Sequence, residues 1–307
     1  MSKHSFRGII PPIVTPINPD GTVNHADLTA LVEHLISQGV HGIFALGSSG
    51  QVAYLSDEDR LAVIKTIATV TAGRVPVIAG AMDLSVHTVI RSAKAFIEAG
   101  ADAIVITPPL YTINDEAEVA DHFRAVAKAI SVPLFAYDIP VRAHKKLSAS
   151  LLVQLGKEGV IVGVKDSSGD DVGFRRLIAM NKAAGSPLTL LTGHEVVVDA
   201  MGLAGADGAV PGLANVDAAS YVRLWNAIEA RDFETAVKEQ EFINALFEIV
   251  FVPKGHSGDV TGIGAFKVAM AARGLLSSAT NTAPLKDLDA PTVSAIEKIV
   301  RDLGLIA

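Results

Sequence analysis

Cysteine is absent from the 307-residue chain, and aromatic residues make up only 5% of it. Without thiols the protein has no disulfide bond, no thiolate nucleophile and no cysteine-ligated zinc or iron–sulfur centre. Charged residues are also sparse, at 19%, whereas hydrophobic residues reach 50%. A chain of this length and apolar content can bury a large core. The composition therefore predicts a folded protein of one large domain or two smaller ones.

Basic residues are in the minority: 26 lysines and arginines face 33 aspartates and glutamates, for a net charge of −7. Nucleic-acid binding depends on lysine and arginine neutralising phosphates, so we expect no nucleic-acid partner. Long hydrophobic runs are missing too, because the longest, such as 159–164 and 249–253, fall well short of the ~20 residues that span a bilayer. The N-terminal MSKHSFRG lacks the apolar core of a signal peptide. We expect a soluble cytoplasmic protein without a membrane partner.

From residue 8 onward, short apolar runs alternate with longer segments of helical period. The predicted strands span residues 8–14, 42–46, 75–79, 103–107, 133–137, 161–164, 188–191 and 208–210. The predicted helices between and after them span residues 26–38, 57–72, 87–99, 116–130, 148–156, 172–184, 195–204 and 218–230. The strands are continuously apolar rather than alternating, which is typical of a parallel sheet covered by helices.

Eight β/α units predict an α/β fold, a TIM (β/α)8 barrel over residues 1–230. The alternative is an open doubly wound sheet, but residues 8–12 lack the glycine-rich dinucleotide fingerprint that follows its first strand. Strand signals stop after residue 230, and residues 231–307 are predicted to form a small C-terminal helical bundle from helices at 233–252, 264–273 and 291–303.

The functional residues of a barrel lie at the carboxyl ends of its strands. Lys165 directly follows the apolar sixth strand, although lysine is rarely buried without a partner. Burial disfavours the charged form of an amine, and the neutral amine is the form that condenses with a carbonyl group. The alternative is a lysine that pairs with Asp166 or extends to solvent. The position makes Lys165 a candidate Schiff-base residue.

Other strand ends carry groups suited to a small keto acid. The loop of Gly47, Ser48 and Ser49 after the second strand offers backbone N–H groups and hydroxyls to a carboxylate. Tyr137 ends the fifth strand and can move protons, and Arg142 nearby can bind a carboxylate with two hydrogen bonds. The alternatives are an ordinary turn, a packed aromatic and a surface ion pair, respectively.

These residues, with Tyr111 after the fourth strand and the GVKDSSGD segment at 163–170, resemble the dihydrodipicolinate synthase / N-acetylneuraminate lyase family of pyruvate-dependent class I aldolases. The resemblance extends from residue 8 through the helical tail. It implies that Lys165 condenses with the keto acid and that Tyr137 positions it and relays protons. A protonated imine is itself an electron sink, so no metal or other cofactor is implied.

The resemblance also implies roles for the remaining candidates. Ser48 would link two tyrosines in a proton relay, and Ser49 would bind the keto-acid carboxylate. Tyr111 would reach into the site of a neighbouring subunit, which implies at least a dimer and, as is common in the family, a homotetramer. The family glutamate after the Gly47 loop is replaced by Gln51.

The resemblance leaves two alternatives for the substrate that occupies the aldehyde half of the site. Arg142 matches an arginine with which the synthase branch binds the carboxylate of aspartate semialdehyde. Glu195 and Ser167 match groups with which the sugar-acid lyases bind a polyol, and the tract around Val210 also resembles those lyases. We favour cleavage of a 2-keto-3-deoxy sugar acid such as N-acetylneuraminate, with the synthase reaction as the alternative. A catalytically silent barrel that only binds ligands is the remaining alternative.

Overall fold

The computed structural model describes residues 5–307, and these residues form a (β/α)8 barrel followed by helices. The eight parallel strands are β1 Gly8–Ile9, β2 Ile43–Ala45, β3 Val77–Gly80, β4 Ala103–Ile106, β5 Leu134–Asp138, β6 Gly163–Asp166, β7 Thr189–Thr192 and β8 Gly208–Ala209. The helices are α1 His25–Ser37, α2 Asp57–Thr71, α3 Val86–Glu98, α4 Glu116–Ala129, α5 Pro140–Ala143, α6 Ala149–Lys157, α7 Asp171–Ala183, α8 Val198–Ala204, α9 Ala218–Ala230, α10 Phe233–Phe247, α11 Ala265–Ala272 and α12 Ala290–Asp302.

The strands pair in a ring rather than in an open sheet. The ladder runs β1-β8-β7-β6-β5-β4-β3-β2, and every pairing in it is parallel. The seam between β1 and β2 is closed by backbone hydrogen bonds from His41 to Ile9 (2.8 Å), from Phe44 to Pro11 (3.0 Å) and from Ile13 to Phe44 (3.0 Å). The predicted barrel is confirmed, and the doubly wound sheet is wrong.

Two apolar layers explain why the strands are hydrophobic on both faces. The inner layer fills the barrel and the outer layer lies between the strands and the helices. Side chains alternate between the two layers along each strand. The inner layer contains Phe6, Ile10, Phe44, Ile78, Ala103, Val105, Phe135, Tyr137, Ile139, Leu191 and Val210.

Several boundaries differ from the predicted ones for local reasons. β1 ends at Ile9 instead of residue 14, because Pro11 and Pro12 have no N–H group for a ladder. β6 continues two residues beyond its predicted end, so Lys165 and Asp166 belong to the sheet itself. The predicted helix at 195–204 divides into a 3₁₀ turn at Glu195–Val197 and α8.

Residues after 230 are helical, as predicted. α9 and α10 pack against each other, and α11 follows a π-helical turn at Val260–Gly264. This turn begins beside Asp259, which lines the cavity at the mouth of the barrel, and α11 carries Lys267, which bonds Gln51. The division of the chain at residue 230 remains a prediction. No helix within residues 5–307 is long and apolar enough to cross a membrane.

Candidate active site

Lys165 and Tyr137 lie side by side inside the barrel. β5 and β6 pair with Tyr137 opposite Lys165, and both side chains point into the inner layer. The Lys165 Nζ donates a hydrogen bond to the Tyr137 Oη at 3.0 Å. Lys165 is 4% exposed and Tyr137 is 2% exposed. The structure therefore brings together the two residues that the sequence placed at neighbouring strand ends.

Aromatic faces and hydroxyls surround this pair. The Lys165 Nζ lies 4.1 Å from the ring centroid of Tyr137 and 4.7 Å from that of Phe44. Burial raises the pKa of the Tyr137 phenol, but the Lys165 charge and hydrogen bonds from Lys165, Ser48 and Ser167 outweigh burial and lower the pKa below its ordinary value. A phenol whose pKa is lowered in this way is suited to exchanging protons with a group at the Lys165 nitrogen.

The loop after β2 is held tightly against the barrel. A Cβ at Gly47 would lie 2.7 Å from the Phe44 ring, so this position requires glycine. The backbone N–H of Gln51 donates to the Ser48 carbonyl at 2.9 Å, which closes the turn. The Ser48 side chain faces the Tyr137 phenol. The Ser49 side chain lies beside Gly212, because its Oγ is 3.2 Å from where a Cβ at Gly212 would stand.

A cavity of about 290 Å³ opens at this end of the barrel. Its wall includes Ser48 on one side and the side chain of Arg142, from the short helix α5, on the other. The other lining residues are Gln51, Val52, Ala53, Tyr54, Arg60, Met82, Asp83, Leu84, Thr107, Leu110, Ile139 and Asp259. Ser48 connects this cavity with the buried pair, because it lines the cavity and also faces the Tyr137 phenol.

Arg142 is not free in this cavity. Its guanidinium forms an ion pair with Asp259, with one contact at 3.3 Å between Nη1 and Oδ2. Tyr54 donates its hydroxyl to the same Oδ2 at 2.7 Å. Asp259 is 7% exposed, so its charge is largely removed from solvent. Sequence reasoning missed Asp259 and Tyr54, because neither ends a barrel strand.

Glu195 lies at the opposite side of the mouth. Its Oε1 accepts a hydrogen bond from the Leu213 N–H at 2.6 Å, and it lies 3.0 Å from where a Cβ at Gly212 would stand. Burial raises the pKa of Glu195 to about 7, against the opposing effect of the Leu213 N–H and the Lys165 charge. With Ser49 beside the same glycine, this edge offers acceptors to a hydroxylated substrate.

The remaining predicted site residues lie at different depths. Val210 is buried in the inner layer beneath the mouth, and its N–H donates to the Thr192 carbonyl at 2.7 Å. Ser167 follows β6 and faces the Tyr137 phenol. Tyr111 is 89% exposed and has a positive φ of 73°. Within one chain Tyr111 does not join the site, and its reach into a neighbouring subunit stays a prediction.

A second buried lysine, which sequence reasoning missed, lies behind the Gly47 loop. Lys267 is 0% exposed, and its Nζ donates to the Gln51 Oε1 at 2.7 Å and to the Thr280 carbonyl at 3.0 Å. Both acceptors are neutral. Burial lowers the pKa of Lys267 to about 7, with Asp287 opposing the shift. Its signal in the sequence is that Lys267 is the only charged residue from 260 to 272.

We expect Gln51→Glu to change how stability depends on pH. Between pH 7 and the ordinary lysine value of 10.5, the unfolded chain holds a proton at Lys267 that the folded chain lacks. The free energy of unfolding should therefore rise with pH in this window, by up to about 1.4 kcal/mol per unit. A carboxylate at residue 51 should raise the pKa of Lys267 and flatten this rise.

Urea unfolding of the wild type and Gln51→Glu at pH 7 to 9 measures the difference. Lys267→Met serves as the control, because methionine fills the same buried position with an apolar side chain that does not titrate. In this variant the free energy of unfolding should not rise with pH through the titration of residue 267. Equal slopes in all three proteins would contradict the assignment.

The amino-acid sequence is similar to those of known proteins along almost its whole length. A sequence profile of the Dihydrodipicolinate synthetase family matches residues 5–303. A 4-hydroxy-tetrahydrodipicolinate synthase of Phenylobacterium zucineum is 30% identical over 98% of this chain and 98% of its own length. An uncharacterised DapA-like lyase of Halobacterium salinarum is 32% identical over 98% of this chain and 95% of its own.

Solved structures show the same architecture. The prophage protein YagE of E. coli K12, in complex with pyruvate, superposes with a TM-score of 0.92 at 27% identity, covering 98% of this chain and 99% of that one. The chloride-inhibited dihydrodipicolinate synthase of Acinetobacter baumannii, complexed with pyruvate, gives 0.89 at 30% identity, covering 98% and 100%.

Proposed function

Because the chain belongs to the Dihydrodipicolinate synthetase family, whose members are lyases of the class I aldolase type, we propose that Lys165 forms a Schiff base with pyruvate and that the resulting enamine condenses with aspartate semialdehyde. The buried contact between the Lys165 Nζ and the Tyr137 Oη carries the first half of this proposal. The Arg142 guanidinium in the adjoining cavity supports the second half.

In the proposed reaction the neutral Lys165 amine adds to the ketone carbon of pyruvate, and the carbonyl oxygen leaves as water after protonation. Tyr137 is placed to donate and recover these protons. Transfer of a methyl proton of the iminium to the Tyr137 phenolate gives an enamine. The former methyl carbon attacks the aldehyde carbon, and Tyr137 returns the proton to the aldehyde oxygen. Attack of the product's own amine, or of water, on the new iminium then breaks its bond to Lys165 and frees the lysine. The pyruvate carboxylate would rest on the turn of Gly47, Ser48 and Ser49, which presents N–H groups and hydroxyls.

The relatives favour aspartate semialdehyde over the sugar acid that the sequence favoured. Of the similar proteins named by activity, those of Phenylobacterium zucineum and Rhizobium meliloti are 4-hydroxy-tetrahydrodipicolinate synthases. An arginine at the cavity wall matches a substrate that carries a carboxylate at the end remote from its aldehyde. In the free protein Asp259 takes the place on Arg142 that this carboxylate would occupy.

Sugar-acid cleavage is the second candidate, and two observations favour it. Asp259 already neutralises Arg142, which reduces the attraction for a distal carboxylate. Glu195 and Ser49 meet at Gly212, where they offer acceptors to hydroxyl groups. A polyhydroxylated tail could use these groups without displacing the ion pair.

We expect Arg142→Ala to lower kcat/KM for the condensation by about 30- to 150-fold, the equivalent of about 2–3 kcal/mol for a lost charge-assisted pair. Asp259→Asn keeps an acceptor for Tyr54 but removes the competing charge, so it should lower KM for aspartate semialdehyde. Both variants should still form the pyruvate imine, because neither residue contacts Lys165. The assay follows pyruvate consumption, with pyruvate release from keto-deoxy sugar acids measured in parallel.

The lyase candidate replaces the synthase if the wild type cleaves a sugar acid and does not condense aspartate semialdehyde. In that case Glu195→Gln should impair cleavage more than Arg142→Ala does. A protein that binds pyruvate at Lys165 and turns over neither substrate class would contradict both candidates.

We also propose that the active form contains at least two chains and that it is a homotetramer, as is common in the family. Tyr111, Leu84 and Ile113 lie after the strands β3 and β4, and their large side chains are exposed by 89%, 62% and 101%, respectively. A second copy that covers them would bury Tyr111 against the mouth of its neighbour. Sedimentation velocity tests the assembly, and a monomer at assay concentration would contradict it.

A further inference from the structure

The two strands that carry the candidate catalytic pair also carry a buried charge cluster on their other face. Asp138 follows Tyr137 at the end of β5, and Asp166 follows Lys165 at the end of β6. The strand register places Asp138 opposite Asp166, just as it places Tyr137 opposite Lys165. Because side chains alternate, the two carboxylates point away from the barrel interior.

Lys146 joins these two carboxylates. Its Nζ donates to the Asp138 Oδ2 and, at 3.3 Å, to the Asp166 Oδ2. Asp138 is 0% exposed and Asp166 is 4% exposed, whereas the Lys146 side chain is 39% exposed. We call Asp138, Lys146 and Asp166 the outer clasp. A cleft of about 440 Å³, bordered by residues of α6 and α7, opens beside it.

The electrostatics make the clasp depend on Lys146. Burial raises the pKa of Asp138 to about 6, against the opposing effect of the Lys146 hydrogen bond. Burial lowers the pKa of Lys146, but its bonds to Asp138 and Asp166 raise it above the ordinary value overall. Without the ammonium group, two buried carboxylates would face each other unpaired, which either separates them or forces one to bind a proton.

The second oxygens of the carboxylates hold the backbone around the active site. The Asp138 Oδ1 accepts from the Leu147 N–H at 3.1 Å, and the Asp166 Oδ1 accepts from the Ser168 N–H at 2.8 Å. The Ser167 N–H donates to the Asp138 carbonyl at 2.8 Å. The clasp therefore fixes both strand ends and the start of the loop that presents Ser167 to Tyr137.

We propose that Lys146 is a positioning residue: by joining Asp138 and Asp166 on the outer face of the barrel, it fixes the spacing of Tyr137 and Lys165 on the inner face. This inference rests on the proposed role of Lys165 in pyruvate binding. Lys146 contacts neither catalytic side chain, so its effect is carried through the paired backbones of β5 and β6.

The test measures the rate of borohydride-trapped imine formation with pyruvate in Lys146→Met. We expect the rate at saturating pyruvate to fall about 10- to 100-fold, as for a small misplacement of reacting groups, with little change in KM. Lys146→Arg should rescue most of the rate, because its guanidinium also donates to both carboxylates. Lys145→Met is the matched control, since Lys145 bonds only the Asn114 carbonyl among the described contacts, and should behave as wild type.

A second readout needs no substrate. The chain has four tyrosines, and their ionisation is followed by absorbance as the pH is raised. The titration of Tyr137 is the difference between the curves of proteins with and without the Tyr137→Phe substitution. In Lys146→Met we expect the pKa of Tyr137 to rise, because the phenol moves away from the Lys165 charge. If Lys146→Met does not fold, Lys146→Met/Asp138→Asn removes the carboxylate repulsion and is measured in its place.

The outcomes separate the two proposals. A wild type that traps no pyruvate overturns the proposed function, whereas the tyrosine titration still decides the clasp. The clasp proposal is overturned if the folded Lys146→Met protein, or its double variant, forms the imine at the wild-type rate and shows no change in the pKa of Tyr137. An equal loss in Lys145→Met, or no rescue by Lys146→Arg, overturns it as well.

Discussion

Replacement of Lys165 by alanine should abolish borohydride trapping of pyruvate and reduce turnover by several orders of magnitude. A loss of ~10⁴-fold corresponds to about 5 kcal/mol of transition-state stabilisation, which the loss of a covalent route can account for. Lys165 is the amine that lies against Tyr137 inside the barrel. Its removal leaves the Tyr137 hydroxyl near Ser48 and Ser167, so the fold should survive.

Lys165→Arg is the matched control for this result. The guanidinium keeps the positive charge but is not a nucleophile, so the variant should be as inactive as Lys165→Ala. Mass spectrometry of the wild type after reduction should place one pyruvate adduct per chain on the peptide that contains Lys165. The assignment of Lys165 as the Schiff-base residue would be wrong if the adduct were found on Lys267, the second buried lysine, or if Lys165→Ala still trapped pyruvate.

Tyr137→Phe should slow turnover by ~10² to 10⁴-fold, the range for lost general acid–base catalysis. The variant removes one hydroxyl and retains a ring that packs edge-on against Phe44, with ring centroids 6.1 Å apart. The free energy of unfolding should therefore change little. Steady-state kinetics and urea unfolding on the same preparations separate the two effects.

The pH profile gives an independent check on Tyr137. If the phenol moves protons, the residual rate of Tyr137→Phe should lose the pH dependence that the wild type owes to this group. A near-normal kcat in Tyr137→Phe would reduce Tyr137 to a packing residue of the inner layer.

The periodicity of the sequence was sufficient to predict the barrel, and the positions of its strand ends were sufficient to predict the pair of Lys165 and Tyr137. Eight continuously apolar runs predict parallel strands, and the rule that function lies at strand ends selects Lys165 and Tyr137. The same rule places Asp138 and Asp166, one residue further along, on the opposite face. Strand alternation thus accounts for both the inner pair and the outer clasp, although only the inner pair was predicted.

The parts that were missed depend on contacts between distant segments. Asp259 lies within a glycine-rich segment, residues 255–262, that has no regular period, and only the folded chain shows that it meets Arg142 and Tyr54. Lys267 donates to the distant Gln51, and no local pattern in the sequence relates the two positions. Tyr111 was assigned from resemblance alone, and its exposed position in one chain leaves that role to be tested.

The contacts that complete the cavity wall and support the Gly47 loop join parts of the chain that the ribosome makes at different times. Arg142 and Asp259 are 117 residues apart, and Gln51 and Lys267 are 216 residues apart. Joining residues so far apart in the sequence has a cost in loop-closure entropy, which the contacts must offset. At ~5–20 residues per second, a ribosome completes the barrel strands seconds before it adds residues 259 and 267. A chain truncated after β8 would therefore lack Asp259 and Lys267, and with them the ion pair on Arg142 and the lysine behind Gln51.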